Sequence, residues 1–272
     1  MKKILVSFVF LLCAVVMQAQ DAEKLVQKGI VKGKKGDVEA AIELFEKAMA
    51  ADSTYPQAYF NRGYANDMMD NPKEAIVDFS KAIELDSTYI NAYFNRGLAY
   101  AEDKDNRAAI ADFTKVIELD SINAEAYYYR GVAKYFLIEF DAAIADFDAA
   151  ITLDSLYAEA FYNKALVVTR QGNLQEAVKL YSEAIAIDPY DADFWNNRGN
   201  VKYVLKDYKG AVGDYNRALY LAPDMPRIYC NRGNAFYFMK DKIGACENWT
   251  IAYDMGFEYA KEMLDLFCQA PK

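Results

Sequence analysis

Histidine is absent from this 272-residue chain. That removes the commonest general base and the commonest metal ligand. No Ser-His-Asp or Cys-His arrangement can be assembled, and no His-containing zinc site. The sequence therefore implies no catalytic residue, no metal and no cofactor. Positive charge is also short. Lys and Arg number 31 against 40 Asp and Glu, giving a net charge of -9. A chain without a broad basic footprint is a poor fit to nucleic acid or an anionic membrane. Helix breakers are few, with 13 Gly and 6 Pro, and four cysteines are too few to staple a chain of this size. What is plentiful is apolar: 54% of residues are hydrophobic and 15% aromatic, so the chain can bury a large core.

The N-terminus has its own character. Lys2 and Lys3 precede an apolar run from Ile4 to Met17 that only Ser7 interrupts, and Met17-Gln18-Ala19 follows. A basic start, a short apolar stretch and a small residue make the order of a secretory signal peptide. The run falls short of the ~20 residues that a spanning helix needs. Residues 1–19 are thus expected to be a signal peptide cleaved after Ala19, which places the protein in the periplasm or outside the cell. A retained anchor is the alternative. Cys13 suggests a lipoprotein, but Leu12 before it is too bulky for a lipid-attachment signal. The chain that remains has no run long enough for an integral membrane segment.

From residue 22 onward one pattern recurs every 34 residues. Tyr59-Phe60-Asn61-Arg62-Gly63 returns as Tyr93-Phe94-Asn95-Arg96-Gly97, and the same register holds at 127–131, 195–199 and 229–233. With Ala22 as position 1, units start at 22, 56, 90, 124, 158, 192 and 226. Position 8 is glycine in all but the fifth unit, where it is Ala165. Position 20 is always alanine, from Ala41 to Ala245. Position 24 is aromatic (Phe45, Phe79, Phe113, Phe147, Tyr181, Tyr215, Trp249), and position 27 is small (Ala48 to Ala252). Within a unit, Ala75-Ile76-Phe79-Ala82-Ile83 repeats at three- and four-residue steps, as one face of a helix requires. Polar turns such as Asp70-Asn71-Pro72 and Gln171-Gly172-Asn173 split each unit into helix A, positions 2–14, and helix B, positions 18–30. Residues equidistant from the turn should face each other. That reading pairs Gly63 with Ala75 at a close backbone approach.

This pattern resembles the tetratricopeptide repeat family over residues 22–259, with its large residue at position 4, Gly at 8, Ala at 20, aromatic at 24 and Ala at 27. Two departures stand out: Ser at position 32 (Ser53, Ser87, Ser121, Ser155) where the family favours Pro, and Arg at position 7 (Arg62, Arg96, Arg130, Arg198, Arg232) where it favours Leu. The resemblance implies an all-α, right-handed superhelical solenoid of seven helix-turn-helix repeats, here residues 20–259, with a capping helix and tail in 260–272. The first repeat is the weakest, with Leu25 at position 4, as suits a terminal unit.

Internal comparison explains the arginines. Position 23 is Asp78, Asp112, Asp146 and Asp214 in units two, three, four and six, each with Arg at position 7. In units one and five it is Leu44 and Leu180, and position 7 is then Lys28 or Lys164. A same-repeat Arg–Asp pair between helices A and B is expected. Glu258 to Cys268 reads as one more helix, which sets Cys246 and Cys268 at equal distances from the turn at Gly256. They are expected to form a disulfide after export, or else to be two buried thiols.

The resemblance also implies that helix A lines a concave groove through positions 2, 5, 6, 9, 12 and 13. Position 6 is Asn61, Asn95, Asn163, Asn197 and Asn231. Amides carry both a donor and an acceptor, so this row is expected to hold the backbone of an extended peptide, unless each amide instead bonds a neighbouring helix. Phe60, Tyr64, Phe94, Tyr128 and Tyr162 fall on the same face, as do Tyr129, Tyr135, Phe136, Tyr203, Tyr237 and Phe238. Some of these rings belong to the core. The expected function is a non-catalytic scaffold that binds a peptide or partner protein, with no nucleic acid; glycan or cell-envelope binding through the aromatics is the alternative. Gly29 and Gly33-Lys34 lack the spacing of a phosphate-binding loop. Asn248-Trp249-Thr250 matches a glycosylation triplet, but Trp249 holds a core position.

Overall fold

A computed structural model describes residues 20–268. The expected signal peptide, residues 1–19, lies outside the described residues. Fifteen helices and no strand are found among the described residues. They are α1 (20–34), α2 (Val38–Ala51), α3 (Pro56–Met68), α4 (Pro72–Leu85), α5 (Ile90–Glu102), α6 (Asn106–Leu119), α7 (Ala124–Phe136), α8 (Phe140–Leu153), α9 (Ala158–Arg170), α10 (Leu174–Ile187), α11 (Ala192–Val204), α12 (Tyr208–Leu221), α13 (Pro226–Phe238), α14 (Lys242–Asp254) and α15 (Tyr259–Phe267). Odd-numbered helices up to α13 are the A helices, even-numbered ones the B helices, and α15 is the extra helix expected at the end.

The chain forms two compact units, divided between Glu139 and Phe140. In the first, α2 to α7 pack each on the next, and α3 also touches α5 and α5 touches α7. In the second, α8 to α15 pack each on the next, and α11 touches α13. Within each unit the hairpins stack in sequence order.

The sequence ladders are the core. Every residue at positions 20, 24 and 27 is buried, from Ala41, Phe45 and Ala48 to Ala245, Trp249 and Ala252. Two further ladders, positions 3 and 10, are buried as well: Ala58, Ala92, Ala126, Ala160, Phe194 and Ile228, and Ala65, Ala99, Ala133, Val167, Val201 and Ala235. Aspartate at position 31 turns the chain between repeats. Asp52, Asp86, Asp154 and Asp188 each accept from the backbone N–H two residues on at 2.9 Å, a local side-chain turn that stops helix B.

The glycines of helix A face a different partner from the one expected. A Cβ on Gly63 would lie 2.9 Å from the Phe79 ring, and on Gly97 2.9 Å from Phe113; Tyr215 and Trp249 stand in the same relation to Gly199 and Gly233. The close neighbour of position 8 is thus the aromatic at 24, not the alanine at 20. Ala75 is one helical turn away from Phe79 on the same buried face, which is why midpoint counting selected it.

Position 15 closes every A–B turn in the left-handed conformation: Gly36, Asp70, Lys104, Ile138, Gly172, Lys206 and Lys240 all have φ between 61° and 83°. Only two of the seven are glycine. Ile138 is β-branched, for which this conformation is a real strain. Its side chain is 71% exposed, so little packing compensates. Ile138→Gly is expected to stabilise the protein by about 1 kcal/mol, read as a rise in the urea midpoint.

Three of the expected Arg–Asp pairs are seen within the units. Arg62 donates to Asp78 at 2.9 and 2.7 Å, Arg96 to Asp112 at 2.8 and 2.7 Å, and Arg198 to Asp214 at 2.9 and 2.7 Å, each through two nitrogens. The sequence also held a second link that pair counting missed. The same residue reaches back to position 25 of the preceding repeat: Arg62 to Glu46, Arg96 to Ser80, Arg130 to Thr114, Lys164 to Asp148, Arg198 to Ser182 and Arg232 to Asn216, at 2.7–3.4 Å. The six acceptors, of five residue types, have only a side-chain oxygen in common. The aromatic at position 4 covers the guanidinium, as with Arg96 over Tyr93 and Arg198 over Trp195, 5.6 and 4.9 Å from the ring centres. Position 7 therefore ties three helices together. Burial would depress the Arg96 pKa, but the hydrogen bonds and charge of Asp112 outweigh it and leave the pKa raised. Arg232 shows the contrast: it faces the neutral Asn248 at 2.7 Å, and burial lowers its pKa. Asn248 is buried and also donates to the Gly244 carbonyl, so it is not a glycosylation site.

Cys246 on α14 and Cys268 after α15 are joined as a disulfide, with Cα atoms 5.8 Å apart and a sequence separation of 22. Cys230 is free and buried, and burial pushes its thiol up to about 11. A thiolate that scarce at neutral pH is unreactive. Intact mass analysis of the purified protein should show one disulfide, and iodoacetamide should label Cys230 only after denaturation. Serine at both 246 and 268 is expected to cost at most about 3 kcal/mol, the constraint a loop of this length places on the unfolded chain.

Candidate functional site

The A helices set the candidate surface of each unit. Positions 5, 6 and 9 fall three and four residues apart, so they share one helical face. In the first unit this face carries Phe60, Asn61 and Tyr64 on α3, Phe94 and Asn95 on α5, and Tyr128 on α7. In the second it carries Tyr162 and Asn163 on α9, Asn197 on α11 and Asn231 on α13.

The position-5 rings are half buried and packed into the core. Phe60 sits 5.7 Å from Phe79 and 4.9 Å from Tyr89. Phe94 lies 5.7 Å from both Phe113 and Tyr129. Tyr162 lies 5.8 Å from Tyr181 and stacks 4.8 Å from Phe194. Phe60 and Tyr162 thus pack both on the core ring of their own repeat and on an aromatic residue further along the chain, Tyr89 and Phe194. Tyr128 packs against Tyr129 at 5.0 Å. Tyr64, at 48% exposure, stands most open. It lines an apolar cavity of about 260 Å³ with Gly29, Ile30, Gly33, Val38 and Met68. Gly33 at position 12 leaves this space, where later repeats place Tyr135, Tyr203 and Tyr237.

The asparagines are arranged in a way that residue type alone did not show. Asn61, Asn95, Asn163 and Asn197 each donate Nδ2 to the carbonyl four residues earlier, at 2.7–2.9 Å. Neither expected arrangement, a free amide or a bond to the next helix, describes Asn61 and Asn95. The local carbonyl takes the donor because it lies within reach on the same helical face. The oxygens of Asn61, Asn95 and Asn197 then have no partner among the described residues. Asn197 Nδ2 also lies 3.1 Å from the Tyr162 hydroxyl. Asn231 departs from the row and donates to Asn200 Oδ1 at 3.1 Å.

Among the described residues no cluster of three or more His, Cys, Asp or Glu could hold a metal, and no helix is long and apolar enough to cross a membrane.

Helical-hairpin repeats of this length and burial pattern define the class. Tetratricopeptide repeat family models match residues 34–69, 73–104, 90–123, 139–192 and 199–239, between them more than half of the chain. The chain belongs to the tetratricopeptide repeat family. An uncharacterised protein of Methanocaldococcus jannaschii is 41% identical over 54 residues, which are 20% of this chain and 63% of that protein, so the match spans less than two thirds of the relative's length. Among solved structures, a tetratricopeptide repeat protein from Parabacteroides merdae superposes with a TM-score of 0.67 over 92% of this chain and all of that one, at 23% identity. MamA superposes with a TM-score of 0.58 at 28% identity, over 59% of this chain and 94% of that one. These likenesses support a protein-interaction scaffold in general terms.

Proposed function

We propose that the protein is an exported, non-catalytic scaffold whose A-helix face binds an extended segment of a partner protein. One observation carries this reading. The oxygens of Asn61 and Asn95 recur one repeat apart on one face and lack partners among the described residues, while each amide gives one of its two N–H groups to its own helix. Such a row offers an open acceptor and one remaining N–H per amide, and the N–H and C=O groups of an extended chain are its complement. Sugar stacking finds less support at Phe60, Phe94 and Tyr162, which lie against the core rings Phe79, Phe113 and Tyr181, and is left with exposed rings such as Tyr64. Export follows from the N-terminal pattern, and N-terminal sequencing of the exported chain should begin at Gln20.

The test is capture of the partner from the native envelope by the tagged full chain. Two net hydrogen bonds are worth roughly 1–3 kcal/mol together, so Asn61→Ala with Asn95→Ala should weaken capture about tenfold or more at unchanged helicity. Undiminished capture by that variant rejects the reading, and so does glycan binding that the variant retains.

A further inference from the structure

The second unit contains a polar pocket unlike anything in the ladders. A cavity of about 130 Å³ is lined by Asn200, Tyr203, Val204, Tyr215, Asn231 and Asn234. Position 9 is apolar or aromatic through the first five repeats (Ile30, Tyr64, Leu98, Val132, Leu166) and asparagine in the last two, at Asn200 and Asn234. Position 24 carries a polar ring in the last three repeats, Tyr181, Tyr215 and Trp249, and in the last two it meets an asparagine at position 9.

The core rings decide which way each amide faces. The Tyr215 hydroxyl donates to Asn200 Oδ1 at 2.8 Å, and the Trp249 indole N–H donates to Asn234 Oδ1 at 3.0 Å. Indole can only donate. Burial raises the Tyr215 phenol, which therefore stays protonated and available to donate. With both oxygens engaged by the core, the free ends of Asn200 and Asn234 are their NH2 groups. Asn231 is turned the opposite way, since its Nδ2 is spent on Asn200 Oδ1 and its own oxygen is left. The pocket thus has donors on Asn200 and Asn234 and an acceptor on Asn231, none with a further partner among the described residues. Asn231 and Asn234 are one helical turn apart, with Cβ atoms about 5–6 Å from each other. Groups so spread suit a ligand that separates its acceptor from its donor, as an amide does, better than a lone hydroxyl. An amide oxygen accepts two hydrogen bonds and its nitrogen donates one.

We infer that this pocket binds one uncharged amide group of the partner, either a backbone peptide group or the side chain of Asn or Gln. The inference rests on the scaffold reading above and deepens it: it names the chemical group of the partner that the second unit holds.

The test uses the full chain labelled with 15N and three probes: N-methylacetamide for the backbone group, acetamide for the side chain, and glucose for a polyol. The side-chain NH2 signals of Asn200 and Asn234 should shift saturably with at least one amide and not with glucose. The stronger amide tells backbone from side chain. Asn234→Asp keeps the acceptor for Trp249 and removes the pocket donor, so it should weaken amide binding at least tenfold while the circular dichroism spectrum stays the same. No saturable shift, equal shifts with glucose, or equal amide binding by Asn234→Asp would each overturn the inference. The scaffold reading fails separately. Partner capture that survives Asn61→Ala with Asn95→Ala rejects that reading, whatever the probes do at Asn234.

Discussion

Arg96→Leu should cost about 3–5 kcal/mol, and adding Asp112→Leu should recover most of that loss. Asp112 is 4% exposed and accepts two bonds from Arg96, whose own side chain is 18% exposed. Removing the guanidinium alone leaves a buried carboxylate without its charge partner. Removing both leaves two apolar side chains between α5 and α6, in a site already walled by Tyr93 and Tyr100. Ser80, the third partner, keeps its bond to the Ile76 carbonyl at 2.6 Å, so the double variant orphans nothing there. Lys164→Leu is the control. Lys164 lies opposite Leu180 rather than an aspartate, and its ion pair is with Asp148, whose side chain is 52% exposed. An ion pair that open is worth less than about 1 kcal/mol. Urea midpoints followed by circular dichroism give all four values on one scale. Equal stability of Arg96→Leu and the double variant would show that burial of an unpaired charge is not what the arginine prevents.

The same pair shows what the sequence made legible. Arg at position 7 and Asp at 23 change together between repeats, because a buried charge has few acceptable partners. The contact to position 25 was harder to see, since Glu46, Ser80, Thr114, Asp148, Ser182 and Asn216 share only an oxygen. The ladders at 8, 20, 24 and 27 stood out because each position meets the same neighbours in every repeat. Those at 3 and 10 did not, because Ala58, Ala92, Ala65 and Ala99 pass as ordinary helix formers until their complete burial is seen. For the candidate site, residue type placed Asn61 and Asn95 on one helical face but did not show which end of each amide is engaged. A side-chain rotamer decides whether the amide offers its donor or its acceptor, and the carbonyl four residues back settled that. The pocket at Asn200 and Asn234 left a readable trace, the asparagine at position 9 of the last two repeats. Its meaning needed the bond directions from Tyr215 and Trp249. The left-handed Ile138 left no trace at all, because nothing in its residue type asks for that conformation.

Gly97→Ala should destabilise by about 1–3 kcal/mol, although alanine is the better helix former by about 0.5–1 kcal/mol. The sign is decided by space. The added Cβ would sit 2.9 Å from the Phe113 ring, closer than real Cβ contacts allow, and Phe113 is completely buried. The ring cannot swing away, since Phe94 and Tyr129 hold it at 5.7 and 5.8 Å. α5 and α6 must therefore separate slightly along the contact that joins them. Second-site changes identify which neighbour is responsible. Phe113→Leu alone leaves a cavity, but combined with Gly97→Ala it should give a favourable coupling of about 1 kcal/mol or more, because the new methyl group occupies part of that space. Ala109→Gly, the partner that midpoint counting had selected, should show coupling within the usual error of additivity, about 0.3–0.5 kcal/mol. Two double-mutant cycles on the full chain thus separate the pairings. Coupling to Ala109 and none to Phe113 would mean that the helices meet one turn away from where the ring and the glycine place them. Coupling to Phe113 alone explains why this position keeps glycine inside a helix in six of seven repeats, against the helix propensity that favours alanine.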